Sequence, residues 1–243
     1  VVIVVALNKG INMQEFSLPL TRRPRRNRKS KAVREMLSET KLSVSDFVYP
    51  VFIMDGSNKE EEIPSMPGIT RKTIDVLLNE LEEVVKLGIL AIAPFPAIAE
   101  ELKDSKATLS YADDGLVQRA VRQIKEKFPQ LLVMTDIALD PFNADGHDGI
   151  VSATGEILND KTVEVLCKMA VSHGKAGADF VCPSDMMDGR IGAIREALDG
   201  AGLENTSIMA YSAKYASAFY GPFRDALGSA PKAGDKKTYQ MDP

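Results

Sequence analysis

From residue 47 to residue 211 the chain alternates short, largely apolar runs with segments whose apolar residues recur at helical spacing. The runs of strand length fall at 47–54, 89–93, 131–138, 179–182 and 207–211. Between them, Ile74, Leu77, Leu78, Leu81, Val84 and Val85 form one helical stripe, with Gly88 placed to end it. Val163, Val165, Leu166, Met169 and Ala170 form a second behind the capping candidates Asn159 and Asp160, and Ile191, Ile194 and Leu198 a third closed by Gly200. These stripes read as core faces. Strand and helix in alternation build parallel βα units, because a parallel neighbour needs a crossover long enough for a helix.

The polar residues fall where such a fold does chemistry. Asp136 and Asp140, Ser184 and Asp185, and Lys214 all lie at or just past the carboxyl end of an expected strand. That is the catalytic rim of a (β/α)8 barrel, and an open doubly wound sheet also gathers ligands at its carboxyl edge. No GxGxxG or Walker sequence follows any of the runs, so nucleotide binding has no support. Lys214 stands out chemically. At the end of a buried strand its amine is desolvated, which favours the neutral form, and a neutral amine can attack a carbonyl to form a Schiff base. A strand-end lysine that carries its charge out to water is the plainer alternative.

Bulk properties narrow the class. The 243 residues suffice for one domain of the α/β kind, with 44% hydrophobic and 26% charged residues. A net charge of −4 makes the chain a poor polyanion binder. Cys167 and Cys182 have no CxxC partners; they read as small core residues and suit a reducing cytoplasm. Val1 to Leu7 is apolar but far short of the ~20 residues a membrane helix needs, and lacks the flanks of a secretory signal. Residues 22–31 are strongly basic, which could suit a nucleic-acid arm, but no aromatic residues interleave with the charges.

Five blocks identify a family. They are Met134-Thr135-Asp136-Ile137-Ala138-Leu139-Asp140-Pro141-Phe142 running on to Gly146-His147-Asp148-Gly149; Pro183-Ser184-Asp185-Met186-Met187-Asp188-Gly189-Arg190; Tyr211-Ser212-Ala213-Lys214-Tyr215; Tyr220-Gly221-Pro222-Phe223-Arg224-Asp225; and Thr238-Tyr239-Gln240-Met241-Asp242-Pro243. In this order they resemble the porphobilinogen synthase (5-aminolevulinate dehydratase) family, from about Thr21 to Pro243. The resemblance implies a TIM barrel, of which about the first five βα units fall within this chain. It divides the sequence into a non-family extension at 1–12 with Met13 as the expected start, an oligomerisation arm at 13–40, and a partial barrel at 41–243. Five barrel strands leave two unpaired edges, so such a piece is expected to be unstable alone.

The implied reaction condenses two molecules of 5-aminolevulinate to porphobilinogen in tetrapyrrole biosynthesis, through lysine Schiff bases. Lys214 matches the first Schiff-base lysine. The second belongs to a Val-Lys-Pro context that does not occur here, so the chain as given is expected to be inactive. Asp136 matches a proton-handling carboxylate beside the lysines and Ser184 a residue near the amine; Asp185 and Asp188 could instead bond the free amides of the following helix. Arg224, Lys236 and Gln240 match a cluster that grips a substrate carboxylate from a mobile lid at 223–240, with Phe223 and Tyr211 beside it and Lys237 a weaker candidate. One branch of the family binds catalytic zinc through three cysteines, but Ala138, Asp140 and Asp148 occupy those positions here. The resemblance is therefore to the branch without active-site zinc, where Asp140 and Asp148 act through charge and water. It implies allosteric magnesium held beyond Pro243. His147 alone is weak as a metal ligand, and His173 on its helical stripe reads as structural. The implied assembly is a cytoplasmic homo-oligomer, an octamer, with the basic arm as subunit contact and neither nucleic acid nor membrane as partner. Two other readings stay open: a lysine-dependent class I aldolase on the same barrel, and a non-catalytic truncated remnant.

Overall fold

A computed structural model describes residues 19–242; the expected extension at 1–12 and Met13 lie outside them. The chain divides into two compact units at Leu42/Ser43. In the first, a 3-10 turn (Pro24–Arg28) leads into α1 (Lys31–Met36), whose Ser30 accepts a hydrogen bond from the Val33 amide and so caps the helix. None of the described residues of this unit is buried, and Leu20, Met36, Leu37 and Leu42 are exposed.

The second unit is an α/β fold. Its elements in chain order are β1 (Val48–Met54), β2 (Glu60–Glu62), β3 (Thr70–Lys72), α2 (Ile74–Lys86), β4 (Ala91–Ala97), α3 (Leu116–Lys127), β5 (Leu132–Ile137), α4 (Asn159–Ala176), β6 (Phe180–Pro183), α5 (Arg190–Gly200), β7 (Ser207–Ile208) and α6 (Gly221–Leu227). The sheet order is β2-β3-β1-β4-β5-β6-β7. From β1 through β7 the five expected strands pair in parallel, each beside the next in the chain. A doubly wound sheet reverses its order among its main strands at a switch point; these five do not, and the short β3 adds in parallel to the other side of β1. The sequential order is that of a (β/α) barrel.

Helices α2 to α5 cover one face of this sheet. Ile53, Ile92, Val133, Ile137 and Val181 from the strands meet Leu77, Leu81, Ile124, Leu166, Met169, Ile194 and Leu198 from the helices, all essentially removed from water. The apolar stripes read from the sequence are this interface. On the opposite face a second cluster joins Phe52 of β1 and Phe95 of β4 to Phe223 of α6, with the Phe95 and Phe223 rings edge-on at 5.1 Å. That aromatic contact seats α6 above the sheet.

Several boundaries differ from expectation. β4 runs to Ala97 rather than ending at Ala93, although Pro94 and Pro96 cannot donate to a ladder; its pairing with β5 stops at Ile92, so both prolines lie beyond that ladder. β7 stops at Ile208, short of Tyr211. Asn159 and Asp160 are inside α4 rather than capping it: the cap position is Leu158, and the Asn159 side chain bonds the backbone of Asp188. Gly88 ends α2 as expected with φ of +82°, whereas α5 includes Gly200 and the left-handed turn falls on Gly202 at φ +74°. Asp185 and Asp188 do not cap α5 either, since its cap position is Gly189 with no side-chain bond. Asp185 instead accepts from the Met187 amide and lies 3.4 Å from the Arg190 guanidinium, while burial pushes its carboxyl up to about 6. β2 and β3 were not expected; the charged triplets Glu60–Glu62 and Thr70–Lys72 carry no apolar alternation.

Candidate active site

Beyond the carboxyl ends of the strands, a cavity of about 250 Å³ gathers side chains from five separate segments. Asp136 comes from β5, Asp140 from the loop after it, and Ser184 from the end of β6. Lys214 and Tyr211 come from the segment after β7, and Phe223, Arg224, Lys236 and Gln240 from α6 and the loop that follows. The cavity thus brings together Lys214, Asp136, Ser184, Arg224, Lys236, Gln240, Phe223 and Tyr211, all named as candidates from the sequence. Phe95, Phe219 and Tyr220 also line it and were not foreseen. Asp148 lies directly behind, fully buried, and Ala138 is buried beside β5.

The Lys214 ammonium donates to the Ser184 carbonyl at 2.8 Å and sits 3.6 Å from Asp148 Oδ1. The Ser184 hydroxyl donates to Asp136 Oδ1 at 2.7 Å. Lys236, itself buried, approaches Asp148 Oδ1 at 3.2 Å and Asp140 Oδ2 at 3.4 Å. Three carboxylates and two ammonium groups therefore share one desolvated cluster. Burial alone would lower the Lys214 pKa, but Asp148, Asp140 and Asp136 outweigh it and hold the ammonium above its ordinary value. The expectation of a neutral, desolvated amine is corrected: the resting lysine is a cation, because the carboxylates around it count for more than the water it has lost.

The carboxylates divide the opposite way. Burial pushes Asp136 up to about 7 against the pull of Lys214 and the Ser184 hydroxyl. Burial would also raise Asp140, but Lys236 and Lys214 hold it below the usual carboxylate range. Asp148 is raised by burial and by the neighbouring Asp140 charge, against the pull of Lys214 and Lys236. Lysine, serine hydroxyl and an aspartate poised near neutrality make a site that can move a proton to or from a reacting amine.

The cavity wall also carries polar groups suited to an anion. Arg224 is half-buried on the cavity wall, and no side-chain partner holds its guanidinium among the described residues. Gln240 is buried beside it with its side-chain oxygen unbonded. Lys237, by contrast, is exposed beside Asp235 and stays outside the cavity. The loop segment of the lid begins only at Gly228, because Phe223 to Leu227 belong to α6.

The donor set of the loop after β5 does not fit a thiolate zinc site. Ala138 has no ligand atom, Asp140 and Asp148 already face the Lys236 ammonium, and among the described residues no group of three His, Cys, Asp or Glu could hold an ion. His147 is fully engaged: Nε2 lies 3.0 Å from the Ala233 carbonyl and Nδ1 3.0 Å from the Tyr239 hydroxyl. His173 is buried within α4. Cys182 is buried and Cys167 packs against the main core.

Fold and site together define a class: a barrel-type α/β protein with an amine-and-carboxylate pocket at the carboxyl ends of its parallel strands. The comparisons with known proteins go further. The sequence profile described as delta-aminolevulinic acid dehydratase matches residues 21–243. The chain is 54% identical over 229 residues to the chloroplastic delta-aminolevulinic acid dehydratase 1 of Arabidopsis thaliana, covering 93% of this chain and 53% of that protein. It is 52% identical over 227 residues to the delta-aminolevulinic acid dehydratase of Bradyrhizobium diazoefficiens, covering 93% of this chain and 64% of that one. The crystal structure of delta-aminolevulinic acid dehydratase (porphobilinogen synthase) from Toxoplasma gondii, in complex with the reaction product porphobilinogen, superposes with a TM-score of 0.90. The two are 52% identical, and the match covers 97% of this chain and 67% of that chain. This chain belongs to the delta-aminolevulinic acid dehydratase family, and it spans about half the length of the plant relatives it matches.

Proposed function

We propose that this chain carries the Schiff-base half of a porphobilinogen synthase site, in which two molecules of 5-aminolevulinate condense with loss of two waters. The observation that carries the reading is the meeting of Lys214, Asp136 and Ser184 with Arg224, Lys236 and Gln240 in one cavity. Arg224 and Gln240 grip the substrate carboxylate, which holds the ketone against Lys214. Lys214 passes a proton to the carboxylate cluster, its free amine attacks the ketone carbon, and water leaves to give a protonated imine. That cation withdraws electrons from the neighbouring carbon, so a proton there can be lost and a carbon–carbon bond made. Asp136, near neutrality, is the group that takes and returns protons.

The reading extends to the zinc-independent branch, with magnesium acting away from the Asp140–Asp148 cluster, and to a homo-oligomer, an octamer, in which the basic arm is a subunit contact. Among the described residues no helix is long and apolar enough to cross a membrane. The free thiols of Cys167 and Cys182 suit a reducing compartment, in our reading the cytoplasm.

Borohydride trapping tests the central claim. Incubation with 5-aminolevulinate and borohydride is expected to add one reduced substrate to the peptide containing Lys214, with none on the Lys214→Ala chain. An adduct that forms equally with unrelated ketones lacking a carboxylate would point to an aldolase-like site instead. No adduct on a chain with native circular dichroism would sink the proposal.

A further inference from the structure

Four consecutive residues of the loop after β5 each touch the lid. The Lys232 amide donates to the Asp145 carbonyl at 3.1 Å. Gly146, at φ +71°, faces Ala230 so closely that an added Cβ would come within 2.2 Å of its carbonyl oxygen. His147 binds both Ala233 and Tyr239, and the Asp148 amide donates to the Tyr239 hydroxyl at 3.3 Å. The Ala233 carbonyl can only accept, so Nε2 of His147 carries a proton and donates to it, while Nδ1 lies 3.0 Å from the Tyr239 hydroxyl. His147 thus uses both ring nitrogens to hold two lid residues six positions apart. Lys236 lies midway between them, with its ammonium directed at Asp140 and Asp148.

We infer that His147 and Tyr239 form a latch that positions Lys236 and Gln240 for carboxylate binding, His147 being a positioning residue rather than a catalytic one. The inference rests on the reading of the cavity as a 5-aminolevulinate site. The latch acts by geometry: clipping both ends of residues 233–239 fixes a loop that carries several small residues and would otherwise order only when substrate arrives. Ordering it beforehand lowers the entropic cost of closing over the ligand.

The test compares the unmodified chain with Tyr239→Phe, which keeps the ring and removes only the hydroxyl, with His147→Ala, and with the double variant. Hydrogen exchange of peptides covering 233–241 is expected to accelerate about tenfold in each, as loss of one or two neutral hydrogen bonds predicts, while α4 peptides stay unchanged. In borohydride trapping, the 5-aminolevulinate concentration for half-maximal adduct rises about tenfold, with the maximal trapped fraction unaltered. The two changes share the His147–Tyr239 bond, and each also removes one bond of its own (Ala233 to His147, the Asp148 amide to Tyr239), so their combined effect should be less than the sum of the two. Unchanged lid exchange in the single variants, or fully additive effects, overturns the latch. If the unmodified chain traps nothing while lid exchange responds as stated, the latch stands and the substrate assignment falls.

Discussion

Lys214 must give up a proton before it can attack a carbonyl, and the carboxylates around it make that harder. With its pKa above the ordinary lysine value, the neutral fraction rises about tenfold for each pH unit between 7 and 9. The initial rate of imine formation, measured by trapping, is expected to follow that slope. Asp148→Asn removes the nearest carboxylate to Lys214, lowers the lysine pKa, and should raise the rate at pH 7 several-fold; an unchanged or lower rate would mean the carboxylate does more than hold charge. Asp136, Ser184 and Lys214 were legible as candidates because they sit at strand ends, where a polar residue has few structural reasons to be, whereas Arg224, Lys236 and Gln240 were reached only through the family resemblance. Phe95, Phe219 and Tyr220 were not, since an aromatic in an apolar stretch reads as core until the cavity is seen. The charge state of Lys214 was misjudged for a similar reason. Burial is visible in a sequence, but the convergence of Asp136, Asp140 and Asp148 on one amine depends on loops folding back.

Among the elements, the seat of the lid depends on Gly146. Gly146→Ala places a methyl against the Ala230 carbonyl at a backbone angle that alanine adopts only with strain, so the loop or the lid must shift. The expected result is a loss of 5-aminolevulinate trapping at low substrate, with thermal unfolding of the sheet reduced by no more than a few degrees. Helix α4 makes a separate prediction. His173 is fully buried, and the backbone of Ser110 offsets little of the water it has lost, so burial pushes its pKa down to about 3. The unfolded chain takes up this proton below about pH 6.5 and the folded one does not, so stability falls as pH drops from 6.5 towards 3. Between pH 7 and pH 5 the loss attributable to His173 is about 2 kcal/mol. Urea unfolding of His173→Leu should show that much less dependence on pH. Helices and parallel strands were legible through their apolar spacing, whereas their ends were not. The positions that terminate α4 and α5 depend on Leu158, Asp188 and Gly202, which follow from tertiary contacts and turn geometry rather than from a capping residue in sequence.

For the molecule as a whole, the sheet is two-sided but its faces are treated differently. Helices α2 to α5 bury one. On the other, register places Val48, Ala91 and Leu132 in one row across β1, β4 and β5, and Met134 beside Phe180 in the next. Ala91 and Met134 are buried there with Cys182, but Val48, Leu132 and Met209 remain exposed among the described residues, and β7 has a neighbour on one side only. An apolar row of this kind on a sheet with an open edge invites association. The chain studied by itself is therefore expected to bind a hydrophobic dye such as anilinonaphthalene sulfonate and to elute in size-exclusion chromatography with a concentration-dependent mass. Leu132→Lys combined with Met209→Lys puts two like charges on that face without touching the helix-covered core or the cavity. It should reduce dye fluorescence by roughly half and shift the mass towards the monomer. Dye binding that persists unchanged would place the exposed apolar surface elsewhere, with Met36, Leu37 and Leu42 of the first unit the next residues to charge.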